Sequence, residues 1–117
     1  MRPWLLEELN FAHVGQMKQP SKVAVLPMGA TEPHNYHLPY GNDFLTTRLV
    51  GERICEAAHQ SGAKVLLLPT IPFGVDSNLL QFPLAIHVSL KSLEHVLRDV
   101  IRSLECHEIY KLVLLNG

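Results

Sequence analysis

The sequence has little of three features that would point to particular classes of protein. It has two cysteines and no Cys-x-x-Cys pair, which excludes a disulfide scaffold and favours the reducing cytoplasm as its location. Its longest apolar run, residues 65–68, is far shorter than the roughly 20 residues that span a membrane. Ten basic against eleven acidic side chains leave no basic excess. We therefore expect neither nucleic acid nor a membrane as a partner.

The composition is that of a folded protein. Hydrophobic residues make up 47% of the 117 residues and charged residues 18%, which excludes intrinsic disorder. This length suits one compact domain. Seven histidines are many for so short a chain, and most of them are expected to be structural or exposed. The exceptions lie in one loop.

Apolar runs and breaker residues predict the order of the secondary structure. Buried strands are expected at 22–26 and 64–68, and a third apolar strand is expected at 111–115. Each is a continuous apolar run rather than an alternating one. Helices are expected at 5–19 (ended by Pro20), at 42–61, and from a cap at Ser89 to about Leu104. Strands alternating with helices predict an α/β fold, a three-layer αβα arrangement with a mainly parallel sheet. The long loops, 29–42 and 70–83, then lie at the carboxyl ends of strands, where such sheets bind ligands.

The second helix is predicted in more detail. Asn42 or Asp43 is expected to cap its N-terminus. Leu45, Leu49, Ile54 and Ala57-Ala58 form an apolar stripe that is expected to be buried.

The first long loop carries the residues best suited to chemistry. Glu32, His34, His37 and Asp43 lie within twelve residues that follow a buried strand. Carboxylate oxygens and imidazole nitrogens are the ligands of zinc, manganese and iron. Glu32 and His34 are two apart, so in extended backbone their side chains point the same way. A metal site is one interpretation; a polar loop with a capping Asp43 and solvated histidines is the other.

A long motif in this loop resembles the creatininase (creatinine amidohydrolase) family. Two later segments resemble further parts of that family's sequence. The segments are Leu26-Pro27-Met28-Gly29-Ala30-Thr31-Glu32-Pro33-His34 with His37-Leu38-Pro39 and Asp43, then Leu68-Pro69-Thr70-Ile71-Pro72-Phe73-Gly74-Val75, and Val113-Leu114-Leu115-Asn116-Gly117.

The resemblance implies a dinuclear metal site that hydrolyses a C–N bond of a cyclic or linear amide through a metal-activated water. By position, Glu32 would bind one divalent ion and His34 the other, with Asp43 bridging them. The ions would be zinc, manganese or iron. Ser77 matches the place of a substrate-contacting serine. His37 would stand on the substrate side or support the metal ligands, or else only structure the loop.

The sequence also departs from the family's pattern. Asn35 stands where glycine often follows the ligand histidine, and asparagine tolerates the left-handed backbone of that turn. Leu84 and Ala85 replace a Gly-Thr pair, so we expect a changed pocket and substrate. Asp76 is interpreted as a turn former.

The family's sequence continues beyond the Asn-Gly that ends this chain, at once with a histidine. We therefore expect residues 1–117 to be the N-terminal part of a single creatininase-like domain, apparently truncated after its third strand, with weak metal binding and little turnover. Uncovered apolar surface would favour a homo-oligomer. The alternative is a non-catalytic, truncated α/β module that binds a small ligand or a partner.

Overall fold

The computed structural model describes residues 1–17 and 21–117. A three-stranded sheet lies at the centre of the fold. The loop that follows the first strand, together with the start of the next helix, carries the candidate site. The elements in chain order are a 3-10 turn at Leu6–Glu8, α1 at Phe11–Gly15, β1 at Val23–Met28, α2 at Asn42–Gln60, β2 at Val65–Leu67, a 3-10 turn at Ser77–Leu79, α3 at Leu90–Cys106 and β3 at Lys111–Asn116.

The sheet is parallel, with the strand order β2-β1-β3. Val23 of β1 is in register with Val65 of β2 and with Lys111 of β3. β1 is the buried central strand, whereas β3 is half-exposed along most of its length. The predicted α/β fold with a parallel sheet is confirmed.

Both faces of β1 are packed, because successive side chains of a strand point to opposite sides. On one face, Ala24 and Leu26 join Leu104 of α3 in a buried cluster. On the other face, Val25 packs with Cys55 of α2. This sandwich of helix, sheet and helix is the predicted three-layer arrangement.

The N-terminal helix predicted at 5–19 is wrong in extent. Asn10 interrupts it: its side chain accepts a hydrogen bond from the His13 backbone N–H, and His13 Nδ1 accepts one from the Asn10 N–H. This reciprocal capping starts a new, short helix, so the segment forms a 3-10 turn followed by α1. The predicted end at Pro20 lies outside the described residues.

The face predicted to be buried on α2 is wrong for its large residues, although Ala58 does pack against the core. Leu45 and Leu49 are 51% and 53% exposed, and Ile54 is exposed as well. The helix buries small residues instead, namely Thr47, Gly51 and Cys55. A Cβ on Gly51 would lie 3.0 Å from Leu67 of β2, so the missing side chain lets α2 approach the sheet closely. The close approach of α2 to the sheet thus decides which face of the helix is buried. The larger apolar side chains of the helix remain exposed to solvent.

The predicted start of α3 is confirmed, since the Ser89 hydroxyl accepts a hydrogen bond from the Ser92 backbone N–H at 3.1 Å. The apolar face of this helix is covered only in part. Leu104 is buried and Leu93, Leu97 and Val100 pack against the sheet cluster, whereas Leu90, Val96 and Ile101 remain exposed. Within residues 1–17 and 21–117, none of the helices has the length and apolar character needed to cross a membrane.

Candidate metal centre

The loop after β1, residues 29–41 (the first loop), packs directly against the start of α2. A Cβ on Gly29 would lie 2.4 Å from the Phe44 backbone nitrogen, so only glycine allows this contact. The loop is closed further along by a hydrogen bond from the Glu32 N–H to the Tyr40 carbonyl, at 3.2 Å. These backbone contacts bring Asp43, in the first turn of α2, up to Glu32 and His34.

Glu32, His34 and Asp43 form one cluster, in which one ligand atom from each residue lies within 4.8 Å of the others. His34 Nε2 lies 2.9 Å from Asp43 Oδ1 and 3.9 Å from Glu32 Oε1. His34 Nδ1 lies 3.0 Å from the Glu32 carbonyl oxygen, which can only accept, so Nδ1 carries a proton. This orients Nε2 toward the two carboxylates.

The predicted capping role of Asp43 is wrong. The residue before α2 is Gly41, and no side chain caps this N-terminus. The Asp43 carboxylate is therefore not used by backbone amides and is available to His34 or to a cation. Its place in the first helical turn still favours a negative charge.

The turn after His34 has the expected left-handed backbone. Asn35 adopts φ 58°, and its side-chain oxygen accepts a hydrogen bond from the Tyr36 N–H at 2.8 Å. Asparagine thus takes the place of glycine in this turn without disrupting it.

The loop after β2, residues 68–89 (the second loop), adds a carboxyl group that the sequence interpretation missed. Asp76 is 1% exposed. It precedes the 3-10 turn, but its side chain makes no capping hydrogen bond, so the interpretation as a turn former is wrong for the side chain. The carboxyl group lies within hydrogen-bonding reach of the Glu32 carboxyl. One signal was available, because Asp76 is the only acidic residue in the second loop.

The crowding of carboxyl groups changes their electrostatics. Contact with Asp76, burial and contact with Asp43 raise the pKa of Glu32 to about 7. The pKa of His34 is raised above its ordinary value, first by its hydrogen bond to the Glu32 carbonyl and then by Asp43. Both shifts describe a site with excess negative charge, which a cation would balance.

The structure does not bring the two predicted substrate-side residues into this cluster. His37 and Ser77 are both exposed. The cavity beside the cluster measures about 320 Å³, and Glu32 and Asp43 line it together with Phe73 and Val75 of the second loop. Neither His37 nor Ser77 lines it, so their predicted roles remain predictions.

Leu84 has a left-handed backbone, with φ 59°. This conformation suits the glycine that the family resemblance leads us to expect at this position. The side chain of Leu84 is 81% exposed. The second loop is nevertheless attached to the first, since the Ile86 N–H donates to the Thr31 carbonyl at 3.1 Å and the Tyr40 hydroxyl donates to the Pro83 carbonyl at 2.7 Å.

The donor set fits a divalent metal ion. An imidazole nitrogen and two carboxylates are suitable ligands for zinc, manganese and iron. The Glu32 carbonyl holds a proton on His34 Nδ1 and turns Nε2 toward the cluster, which is the ring orientation that a metal ligand needs. The buried Asp76 Oδ2 has no hydrogen-bond partner among the described residues.

Comparison with known sequences gives one consistent result. A family model described as Creatinine amidohydrolase matches residues 7–117. The mycofactocin precursor peptide peptidase of Mycobacterium tuberculosis is 28% identical over 115 residues, which are 94% of this chain and 45% of the relative. The creatinine amidohydrolase of Pseudomonas putida is 32% identical over 100 residues, which are 81% of this chain and 36% of the relative.

Solved structures agree with the sequence matches. A Bacteroides fragilis protein described as a candidate creatinine amidohydrolase has a TM-score of 0.83 at 30% identity, covering 97% of this chain and 45% of its own. A mutant creatininase described as Zn-Zn type has a TM-score of 0.77 at 28% identity, covering 97% of this chain and 44% of its own. The chain spans less than half the length of these relatives.

Proposed function

Because this chain belongs to the creatinine amidohydrolase family, we propose that it forms the N-terminal, metal-binding part of a metal-dependent amidohydrolase. The observation that carries the proposal is the cluster of Glu32, His34 and Asp43, whose ligand atoms lie within 4.8 Å of one another. The reaction is hydrolysis of a C–N bond in a cyclic or linear amide.

In this proposal the cluster holds two divalent ions. Glu32 would hold one ion, His34 would hold the other, and Asp43 would serve both as the bridging carboxylate. Zinc is supported by the relative described as Zn-Zn type, and oxygen and nitrogen donors also suit manganese and iron. When bound, such ions lower the pKa of a coordinated water and polarise an amide carbonyl.

The chain's own residues prepare the site. The Glu32 carbonyl fixes the ring of His34 by accepting from Nδ1–H, and Gly29 lets the first turn of α2 bring Asp43 to the loop. Phe73 and Val75 give the cavity an apolar wall beside the carboxylates. A small amide of a few hundred Å³ at most would lie between this wall and the cluster.

The three donors supply each of two ions with about two protein ligands, whereas catalytic zinc usually has three. We therefore expect a complete centre to need further donors, and expect this chain alone to bind metals weakly and to turn over little amide. The relatives' names, a peptide peptidase and a creatinine amidohydrolase, leave both peptides and cyclic amides as substrate classes.

A second function is favoured by the outer face of α2. Leu45 and Leu49 are exposed apolar side chains on a regular helix, which is typical of a contact surface. The chain would then be a non-catalytic module that binds a partner, or it would form a homo-oligomer through this face. Ala substitution at Glu32 or Asp43 separates the functions, since it would leave partner binding nearly unchanged.

Calorimetric titration with Zn²⁺ and Mn²⁺ tests the metal proposal. We expect Asp43→Asn to weaken binding at least about 100-fold, because the bridge contacts both ions. Glu105→Gln, which removes one charge from an exposed position on α3, should bind as the wild type does. Equal affinities of the wild type and Asp43→Asn, or a folded wild type that binds neither metal, would contradict the proposal.

A further inference from the structure

Asp76 of the second loop is a buried carboxyl group that none of the roles described above uses. Its backbone is fixed, since its N–H donates to His87 Nδ1 at 2.9 Å and the Val88 N–H donates to the Gly74 carbonyl at 2.9 Å. The carboxyl group points into the protein, since Asp76 is 1% exposed. Its Oδ2 atom is buried and has no hydrogen-bond partner in the described part of the chain.

A buried carboxyl group without a partner destabilises a protein, and native structures avoid it unless something else compensates. The surroundings of Asp76 increase the free-energy cost of burying its carboxyl group. Its carboxyl meets that of Glu32, which in turn meets that of Asp43, so three acidic groups stand in a row. A divalent cation at Glu32 would convert this repulsion into attraction.

Asp76 is not one of the three residues whose ligand atoms lie within 4.8 Å of one another. It reaches the cluster only through Glu32, from the opposite loop. Two loops that are joined by hydrogen bonds therefore hold the Glu32 carboxyl between them. Confinement of this kind lowers the number of orientations that Glu32 loses when it binds a cation.

We propose that Asp76 is a positioning residue of the metal centre: from the second loop it confines the Glu32 carboxyl and adds negative charge that increases the affinity for a divalent cation. This inference rests on the proposed function, because it takes Glu32 as a metal ligand. It extends the centre from one loop to two.

The test compares Asp76→Asn, which keeps the shape and removes the charge, with Glu105→Gln, which removes the same charge from an exposed position. Calorimetric titration of the full chain with Zn²⁺ should show binding about 10- to 100-fold weaker in Asp76→Asn and unchanged in Glu105→Gln. The visible absorption spectrum of the Co²⁺-loaded protein should change in Asp76→Asn, because the geometry at Glu32 changes.

Thermal unfolding of the metal-free protein gives a second readout that moves in the opposite direction. Asp76→Asn should raise the Tm by about 4 °C, because it replaces a buried carboxyl beside Glu32 with a neutral amide of the same shape. A purely structural role would instead lower the Tm and leave the Zn²⁺ affinity and the Co²⁺ spectrum unchanged, which would overturn the proposal. Asp76→Ser is the second variant; unfolding of both metal-free variants would also assign a structural role and overturn it.

Failure of the role proposed for Asp76 can be distinguished from failure of the proposed metal binding. If Asp43→Asn loses Zn²⁺ and Asp76→Asn binds it as the wild type does, only the role of Asp76 is wrong. If Asp43→Asn binds Zn²⁺ as tightly as the wild type, the metal proposal fails and the role of Asp76 fails with it.

Discussion

The first loop and the second loop meet at one cavity but contribute to it in different ways. The first loop carries Glu32 and His34 and delivers Asp43 a few residues later, so its donor set is local in the sequence. The second loop contributes an apolar wall and a single carboxyl, Asp76, which is buried beside Glu32. The difference teaches that candidate donors grouped within one loop can be recognised from their spacing, whereas a carboxyl group from another loop cannot.

The glycines of the two loops give the largest contrast. A Cβ at position 29 would meet backbone of α2 at 2.4 Å, whereas a Cβ at Gly74 would lie 3.5 Å from the nearest atom, in ordinary contact with Ala30. We expect Gly29→Ala to lower the free energy of unfolding by about 3 kcal/mol, because backbone must shift. Gly74→Ala should change it by less than about 0.5 kcal/mol. Urea unfolding measures both, and equal losses would contradict the contrast.

The contact between the loops also predicts a pH dependence of the metal-free protein. Glu32, with its pKa raised to about 7 by Asp76, binds a proton more tightly when folded than when unfolded. Its contribution to stability is therefore fully present below the ordinary value of 4.5 and is lost as the pH rises through about 7. The pKa of His34 is also raised, so its contribution to stability is likewise lost as the pH rises above the ordinary pKa of 6.5.

The measurement is Tm against pH in the presence of a chelator. We expect the wild-type Tm to fall by several degrees between about pH 5 and about pH 8. In Glu32→Gln, most of the decrease in Tm below about pH 7 should disappear. The decrease caused by His34 should remain. The same slope in the wild type and in Glu32→Gln would show that the carboxyl pair is not its cause.

The hydrogen bond from the Tyr40 hydroxyl to the Pro83 carbonyl, 2.7 Å long, ties the two loops together. Tyr40→Phe removes only this hydroxyl, so we expect a loss of about 0.5 to 1 kcal/mol in unfolding free energy. Tyr36→Phe is the matched control, because Tyr36 is fully exposed and should show no change. Denaturant titration decides, and an equal effect of both variants would mean that the bond does not join the loops in solution.

Leu84 gives the smallest expected effect. Its φ of 59° is unfavourable for leucine and free of strain for glycine. Leu84→Gly should therefore leave stability unchanged or raise it by up to about 1 kcal/mol, because relief of strain offsets the added chain entropy. Leu80→Gly, at an ordinary φ of −60°, should lower stability by about 0.5 kcal/mol. A larger loss in Leu84→Gly than in Leu80→Gly would contradict this interpretation of the turn.

Several features were predictable because they depend on neighbours in the sequence. The strand predicted at 22–26 is found at Val23–Met28, and the cap at Ser89 forms as expected. The left-handed Asn35 follows from the conformational tolerance of asparagine.

Other features failed because competing partners decide them. Asn10 offered a local cap that divided the first predicted helix. Gly51 offered a close approach to the sheet, which turned Leu45 and Leu49 of α2 outward although they form the more hydrophobic stripe. Hydrophobic periodicity cannot rank these options, because it does not contain the shape of the opposing surface.

The order of residues alone was enough to predict a parallel α/β fold and a donor set of Glu32, His34 and Asp43, since strand runs and loop spacing are local properties. Only the tertiary structure decided that Asp43 faces His34 instead of capping its helix, and that Asp76 lies buried against Glu32. Both outcomes depend on how two loops distant in the chain pack together, and the electrostatic energy of a carboxyl group is set by the groups that surround it in space.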